Sequence, residues 1–291
     1  MMGKYLPLSG SDHFQLLLDH RMRKAGQAGN ISRIRYHLSS GTDLNGLRKD
    51  LIENSVLNNI LKVRYRLPLF RIPAWTTSYG LPEKAVILHQ GNLNEQSESD
   101  LLNSIINTDN GLVRMDLYTT MRSEPCLLIS MHHVLFDHRG MINFIQALNG
   151  KQITPFIAEV KPRPFIRSLK STFTVSRFAF RSSGPDLISI LPKRPTKQPV
   201  SNYLHIRFDT TETDRILANA IDAGAVLSKS VFYMAATMLA VQHVATKNGN
   251  KGKFSWMAAP HDMRPKGTPG HLIGNDISFM FFRLEKDDNA D

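Results

Sequence analysis

Residues 112 to 148 constrain this chain more tightly than any other stretch. Leu112 to Met121 and Cys126 to His132 read as neighbouring strands joined by a turn at Ser123-Glu124-Pro125. Met141 to Leu148 follows, with apolar positions at helical spacing. Between strand and helix lies the segment His132-His133-Val134-Leu135-Phe136-Asp137-His138-Arg139-Gly140. A histidine at such a junction is held by packed backbone on both sides while its ring faces outward, which is what a general base needs. Asp137, four residues past His133, is close enough in a tight turn to help fix the local geometry.

The flanking sequence places this junction in a mixed α/β layer. Ile31 to Leu38 alternates as a strand, and residues 43 to 62 form an amphipathic helix pattern opened by Asp43 as N-cap. A Pro/Trp loop at 68–82, a strand at Ala85 to Gln90 and a short helix at Ser99 to Ile106 follow. Between 150 and 200 the prolines multiply, at 155, 162, 164, 185, 192, 195 and 199, which marks a connection between two bodies. A second set then begins, with a strand at Tyr203 to Phe208, helices at Thr211 to Asp222 and Ser228 to Thr246, and strands at Phe254 to Ala259 and Asp276 to Leu284. The expected organisation is an N-terminal subdomain at 1–150, a Pro-rich basic linker at 151–200 and a C-terminal subdomain at 201–291. The fold class is α/β, with mixed sheets and flanking helices.

The formal charge is +11, from 36 Lys and Arg against 25 Asp and Glu, which implies attraction to something anionic. Charge does not choose among nucleic acid, phospholipid headgroups and a phosphorylated cofactor. No helix-turn-helix, zinc or RNA-binding signature accompanies it, so no nucleic-acid partner is expected. The excess concentrates at 161–194, where Phe165 to Phe180 mixes aromatic and basic residues. A helix packed across the domain junction is the preferred reading there, ahead of one lying on a membrane surface. The single Cys126 lies in an apolar strand, so no disulfide framework exists and a reducing compartment is expected. Without a signal-like stretch at the start or a segment of membrane-spanning length, the expectation is a cytoplasmic protein, with peripheral membrane contact as a secondary option.

Three readings compete for the histidine segment: histidines satisfied by backbone, a metal site using His133, Asp137 and His138 with help from His261-Asp262, and a general base. The segment His132-His133-Val134-Leu135-Phe136-Asp137 resembles the HHxxxDG signature of the superfamily that includes chloramphenicol acetyltransferase, peptide-synthetase condensation domains and wax ester synthase/diacylglycerol acyltransferases. Leu6-Pro7-Leu8-Ser9-Gly10-Ser11-Asp12-His13-Phe14 resembles the opening of the wax ester synthase branch. Pro260-His261-Asp262-Met263-Arg264-Pro265 resembles the family's DLRP turn, and Leu272-Ile273-Gly274-Asn275-Asp276-Ile277-Ser278 its GN segment. Two departures accompany these matches. His138 stands where the motif has glycine, and the chain stops short of the family's usual extent, so the second subdomain is expected to be incomplete.

The resemblance implies two chloramphenicol acetyltransferase-like subdomains and an O-acyltransferase. Its candidate catalytic set is His133 as general base, Asp137 as a loop-holding carboxylate and His132 as a loop-fixing neighbour. Asp137 would pair with Arg64 or Arg264. Arg264 and Asn275 each carry two readings, a structural contact and a contact to the cofactor or substrate. The donor would be an acyl-CoA or an acyl-carrier thioester, the acceptor an alcohol, with no permanently bound cofactor and no metal. A carrier protein with an acidic face is a further candidate partner. Two other readings are a condensation-type enzyme forming amides or esters on carrier-bound substrates, and a truncated, non-catalytic relative serving as a binding module.

Overall fold

A computed structural model of the chain describes residues 6–24, 26–67, 73–152, 173, 177, 181, 184, 186–188, 206–224, 229–265 and 273–286. Most of the expected 151–200 linker, with nearly all of the Phe165–Phe180 segment, lies outside these residues, as does the start of the strand expected at Tyr203. The chain divides into two compact units. One comprises Met1–Lys161, Pro195–Ser201 and Asp262–Ile277, and the other Pro162–Arg194, Asn202–His261 and Ser278–Asp291.

The first unit opens with β1 (Leu6–Pro7), α1 (Gly10–Lys24) and β2 (Ile31–His37). The helix expected over 43–62 is two helices, α2 (Leu44–Glu53) and α3 (Ser55–Ile60). The break is Asn54, whose side-chain oxygen accepts from the N–H groups of Val56 and Leu57 and so starts a new helix. Short polar side chains compete with helical backbone bonds in this way. β3 (Val63–Arg66) follows, and the region read as a Pro/Trp loop contains β4 (Ala74–Thr77) and the short α4 (Pro82–Ala85). Burial of Ala74 and Trp75, and pairing of β4 with both β1 and β3, override the local loop signals.

The second sheet runs β2-β7-β6-β5, from β5 (Val86–Leu93), β6 (Val113–Thr120) and β7 (Pro125–His132). The crossover from β5 to its parallel neighbour β6 carries α5 (Glu95–Leu102), and β6 and β7 are antiparallel as the turn at 123–125 requires. Ser123 sits in that turn at φ 60°. β7 lies between β2 and β6, and all of its residues are buried. Because side chains alternate across a strand, Leu127, Ile129 and Met131 enter a large core with Leu57, Ile60, Met115 and Phe144, while Cys126 and Leu128 join Tyr118 and Leu101 on the other face. Each such fully buried side chain contributes about 1.5–3 kcal/mol. Burial on both faces makes β7 the most constrained strand of this sheet, and its C-terminal end delivers the histidine pair. The register Ile31↔His132 brings that end beside Asn30, just before β2. α6 (His138–Leu148) then packs Phe144 onto Phe136, ring centroids 5.2 Å apart.

The described part of the second unit contains α7 (Thr210–Asp222), α8 (Lys229–Lys247) and all but the last residue of β8 (Phe254–Asp262) and the first of β9 (Ile277–Glu285), close to the expected spans. Asp209 and Glu212 form a reciprocal capping box at the start of α7. β8 and β9 pair, and the Arg283 guanidinium lies 3.8 Å from the centre of the buried Phe254 ring. Residues 206 to 208, the described end of the expected strand, are not in a strand.

Candidate active site

β7 ends at His132, and the turn that follows is closed by the Leu135 N–H donating to the His132 carbonyl at 3.0 Å. The His132 ring is wholly buried, and its Nδ1 accepts from the Val134 N–H at 3.2 Å. That contact leaves the proton on Nε2, which faces Asp19 Oδ1 of α1 at 3.4 Å, a polar approach outside hydrogen-bond geometry. Burial acts to raise the Asp19 carboxyl. The close His132 ring, together with hydrogen bonds from the Asn30 N–H and Arg23, outweighs it and holds the group down to about 2. His132 is thus a fixed part of the turn.

Asp137 is the N-cap of α6, with Oδ1 accepting from the Gly140 N–H at 2.9 Å. Its Oδ2 accepts from the Asp276 N–H at 3.0 Å and lies 2.8 Å from Arg264 Nη2. Both side chains are almost wholly buried, and the approach of Nη2 is a charge contact without hydrogen-bond alignment. Arg264 also reaches Asp262 at 3.2 Å. Of the two expected partners for Asp137, the structure therefore places Arg264 beside it. Arg64 lies in β3, and its guanidinium donates to the carbonyls of Leu61, Val63 and Asp109.

Asn275 is buried, with its amide nitrogen partnered and its Oδ1 not. Its Nδ2 lies within hydrogen-bond distance of Asp12 Oδ1 (3.1 Å), the His133 carbonyl (3.1 Å) and the Val134 carbonyl (2.8 Å). Three acceptors around one atom fix it as the amide nitrogen, since a flipped amide would set oxygen against oxygen. The neighbouring Gly274 N–H donates to the Leu135 carbonyl at 2.7 Å and Gly274 bridges to Phe136, so the GN segment runs alongside the turn after His133. Both residues weighed for cofactor contact, Arg264 and Asn275, thus direct polar atoms at the protein's own loop.

His133 is the partly exposed member of the pair. Its N–H donates to the Asn30 carbonyl at 2.9 Å, and its carbonyl accepts from Asn275. Nδ1 is buried without a hydrogen-bond partner, so proton exchange with any bound molecule has to run through Nε2. His138 is the first residue of α6 and exposed, and it is not among the residues with positive φ. The backbone here does not demand the glycine of the motif, and histidine sits without strain.

Other groups contribute little to this site. Cys126 is buried 3.8 Å from His37 Nδ1, and burial pushes its thiol above the ordinary value, opposite to what a nucleophile requires. Among the described residues, no group of three His, Cys, Asp or Glu is placed to hold a metal ion, and no helix is long and apolar enough to cross a membrane. The sequence reading missed Gln15, Asp19 and Asn30. No sequence signal marked the first two, because which positions of α1 are buried is visible only in the structure.

The sequence matches no family model and no curated protein. Solved structures do resemble it. The first condensation domain of the calcium-dependent antibiotic synthetase, in complex with substrate analogue 3a, matches with a TM-score of 0.60 at 12% identity, over 99% of this chain and 71% of that one. The condensation domain of the monacolin K polyketide synthase MokA gives 0.56 at 14%, over 96% and 67%. The SgcC5 protein of Streptomyces globisporus gives 0.53 at 16%, over 98% and 69%. The chain has the condensation-domain, chloramphenicol acetyltransferase-like fold and spans about seven tenths of the first condensation domain's length. The wax ester synthase branch does not feature among these neighbours.

Proposed function

We propose that this chain is a condensation-type acyltransferase, moving an acyl group from a carrier-bound thioester to an amine or hydroxyl with His133 as the general base. The observation that carries the reading is the partly exposed His133, fixed at both peptide groups just past the end of the buried strand β7 in this fold. Unprotonated Nε2 takes the proton of the acceptor N–H or O–H as nitrogen or oxygen attacks the thioester carbonyl. When the tetrahedral intermediate collapses, the C–S bond breaks and the thiolate leaves. The imidazolium returns its proton to that sulfur, so the base is regenerated and no acyl-enzyme forms.

In this reading Asp137 touches no substrate. It caps α6 and, with Arg264, holds the loop under His133, and Arg264 and Asn275 are positioning residues rather than donor contacts. The acyl-CoA-dependent O-acyltransferase reading is the second choice. It rests on the resemblance of residues 6–14 to the wax ester synthase opening and on the basic net charge, which suits a polyanionic donor.

Donor preference separates the two. The purified protein is given an acyl group loaded on a phosphopantetheinyl carrier, or the same group on free CoA, with an amine or alcohol acceptor, and thiol release and product mass are followed. Turnover with the loaded carrier alone supports condensation, whereas turnover with free acyl-CoA and an alcohol moves the assignment to the second reading. His133→Ala should abolish turnover with either donor. Wild-type rates in that variant would end the base assignment.

A further inference from the structure

The helix α1 is unusual in what it buries. Its three buried residues are Asp12, Gln15 and Asp19, all polar, at spacings that put them on one face, while Leu17 is half exposed. Burying such groups costs stability unless each is hydrogen-bonded, so this face needs partners that a purely apolar face would not. Every one of them holds an asparagine that in turn holds His133.

On one side, Asp19 Oδ1 accepts from the Asn30 N–H at 2.9 Å, and Gln15 Oε1 accepts from Asn30 Nδ2 at 2.7 Å. Asn30 then receives the His133 N–H on its carbonyl. On the other side, Asp12 Oδ1 accepts from Asn275 Nδ2, which also donates to the carbonyls of His133 and Val134. Asp12 is itself locked, its Oδ2 accepting from the Ser9 N–H at 2.8 Å and its own N–H donating to Ser9 Oγ at 3.1 Å. The Asp19–His132 contact adds a third tie to the residue preceding the base.

We propose that the polar face of α1 is a clamp that sets the position of His133, with Asp12, Gln15 and Asp19 as positioning residues acting through Asn30 and Asn275. The clamp rests on the assignment of His133 as the base. The N–H and the carbonyl of His133 are both tied to asparagines oriented by α1, so releasing either shifts the peptide that carries the imidazole. A displacement of about 1 Å of a reacting group lowers the rate by on the order of a hundredfold.

Asp19→Ala and Asp19→Asn test this, because asparagine keeps an oxygen for the Asn30 N–H and alanine does not. In Asp19→Ala, kcat per folded molecule should fall by roughly tenfold to a hundredfold with KM within about twofold, and Asp19→Asn should recover most of the loss. Hydrogen exchange at the His133 amide, which reads the Asn30 tie directly, should accelerate in Asp19→Ala and much less in Asp19→Asn. An alanine variant with wild-type kcat, or with unchanged exchange at His133, overturns the clamp. If Asp19→Ala does not fold, Gln15→Met is read by the same two measurements under the same criteria. If the wild-type chain turns over neither donor, the proposed function fails, and exchange at the His133 amide decides the clamp by itself.

Discussion

The Asp137–Arg264 pair offers the sharpest energetic test. The perturbation is Arg264→Met, which keeps most of the apolar stem and removes the guanidinium. The two side chains are 2% and 3% exposed, so the change leaves a buried carboxylate without its countercharge. Breaking a buried pair from one side costs about 3–5 kcal/mol. Asp137 keeps the N–H groups of Gly140 and Asp276 as donors, which favours the lower end, about 3 kcal/mol. Asp137→Ala should cost about 4 kcal/mol, because it also removes the cap of α6. The double variant should cost less than the sum by about 2 kcal/mol, since the two residues share one interaction. Unfolding in urea can be followed for the first unit alone. The chain has two tryptophans, and in a Trp256→Phe background only Trp75, buried in the first unit's core, reports. A loss within about 0.5 kcal/mol for Arg264→Met, the range of ordinary surface changes, or strict additivity in the double variant, would refute the reasoning.

Asp19 gives a pH dependence of definite sign. Its folded-state value of about 2 lies below the ordinary 3.8, so its contribution, about 2 kcal/mol, is complete above pH 3.8 and lost as pH falls towards 2; Asp19→Asn should flatten the acid limb of stability in that window. Gly29 has φ +99°, and an added Cβ would clash with Asp19 Oδ1, so Gly29→Ala should destabilise by about 1–3 kcal/mol and lower kcat through the α1 clamp, which melting and turnover on one sample will check. Asn54→Ala removes the cap of α3 and the bond to the Leu148 carbonyl, and should cost about 1 kcal/mol in urea with unchanged KM.

Much of the local structure was legible in the chain. The strand pair at 113–120 and 125–132, the strand at 31–37, the helix at 210–222 and the helix after Asp137 all lie close to where their periodicity puts them. The Asp43 cap and the turn around Ser123 followed from residue type. The reading failed where non-local pairing or a local cap overrode the pattern. β4 exists because strands on either side cover it, and the long helix breaks because Asn54 satisfies two N–H groups of the next helix. The sequence nominated His132, His133 and Asp137 as a group, and it offered Arg64 and Arg264 equally as partners for the aspartate. Only coordinates could distinguish an arginine bound to carbonyls in β3 from one 2.8 Å from Asp137.

What the sequence by itself determined are properties that one segment carries alone: strand, turn, helix and the histidine motif between them, because hydrophobic period and turn chemistry act over a few residues. Tertiary structure alone decided which distant groups meet. Asp12 and Asn275 are 263 positions apart, and Asp137 and Asp276 are 139, yet each pair shares a hydrogen bond, the first fully and the second partly buried. No periodicity records such partners. They are selected when the core closes, because a polar group carried into it needs a partner of matching chemistry wherever in the chain one arrives.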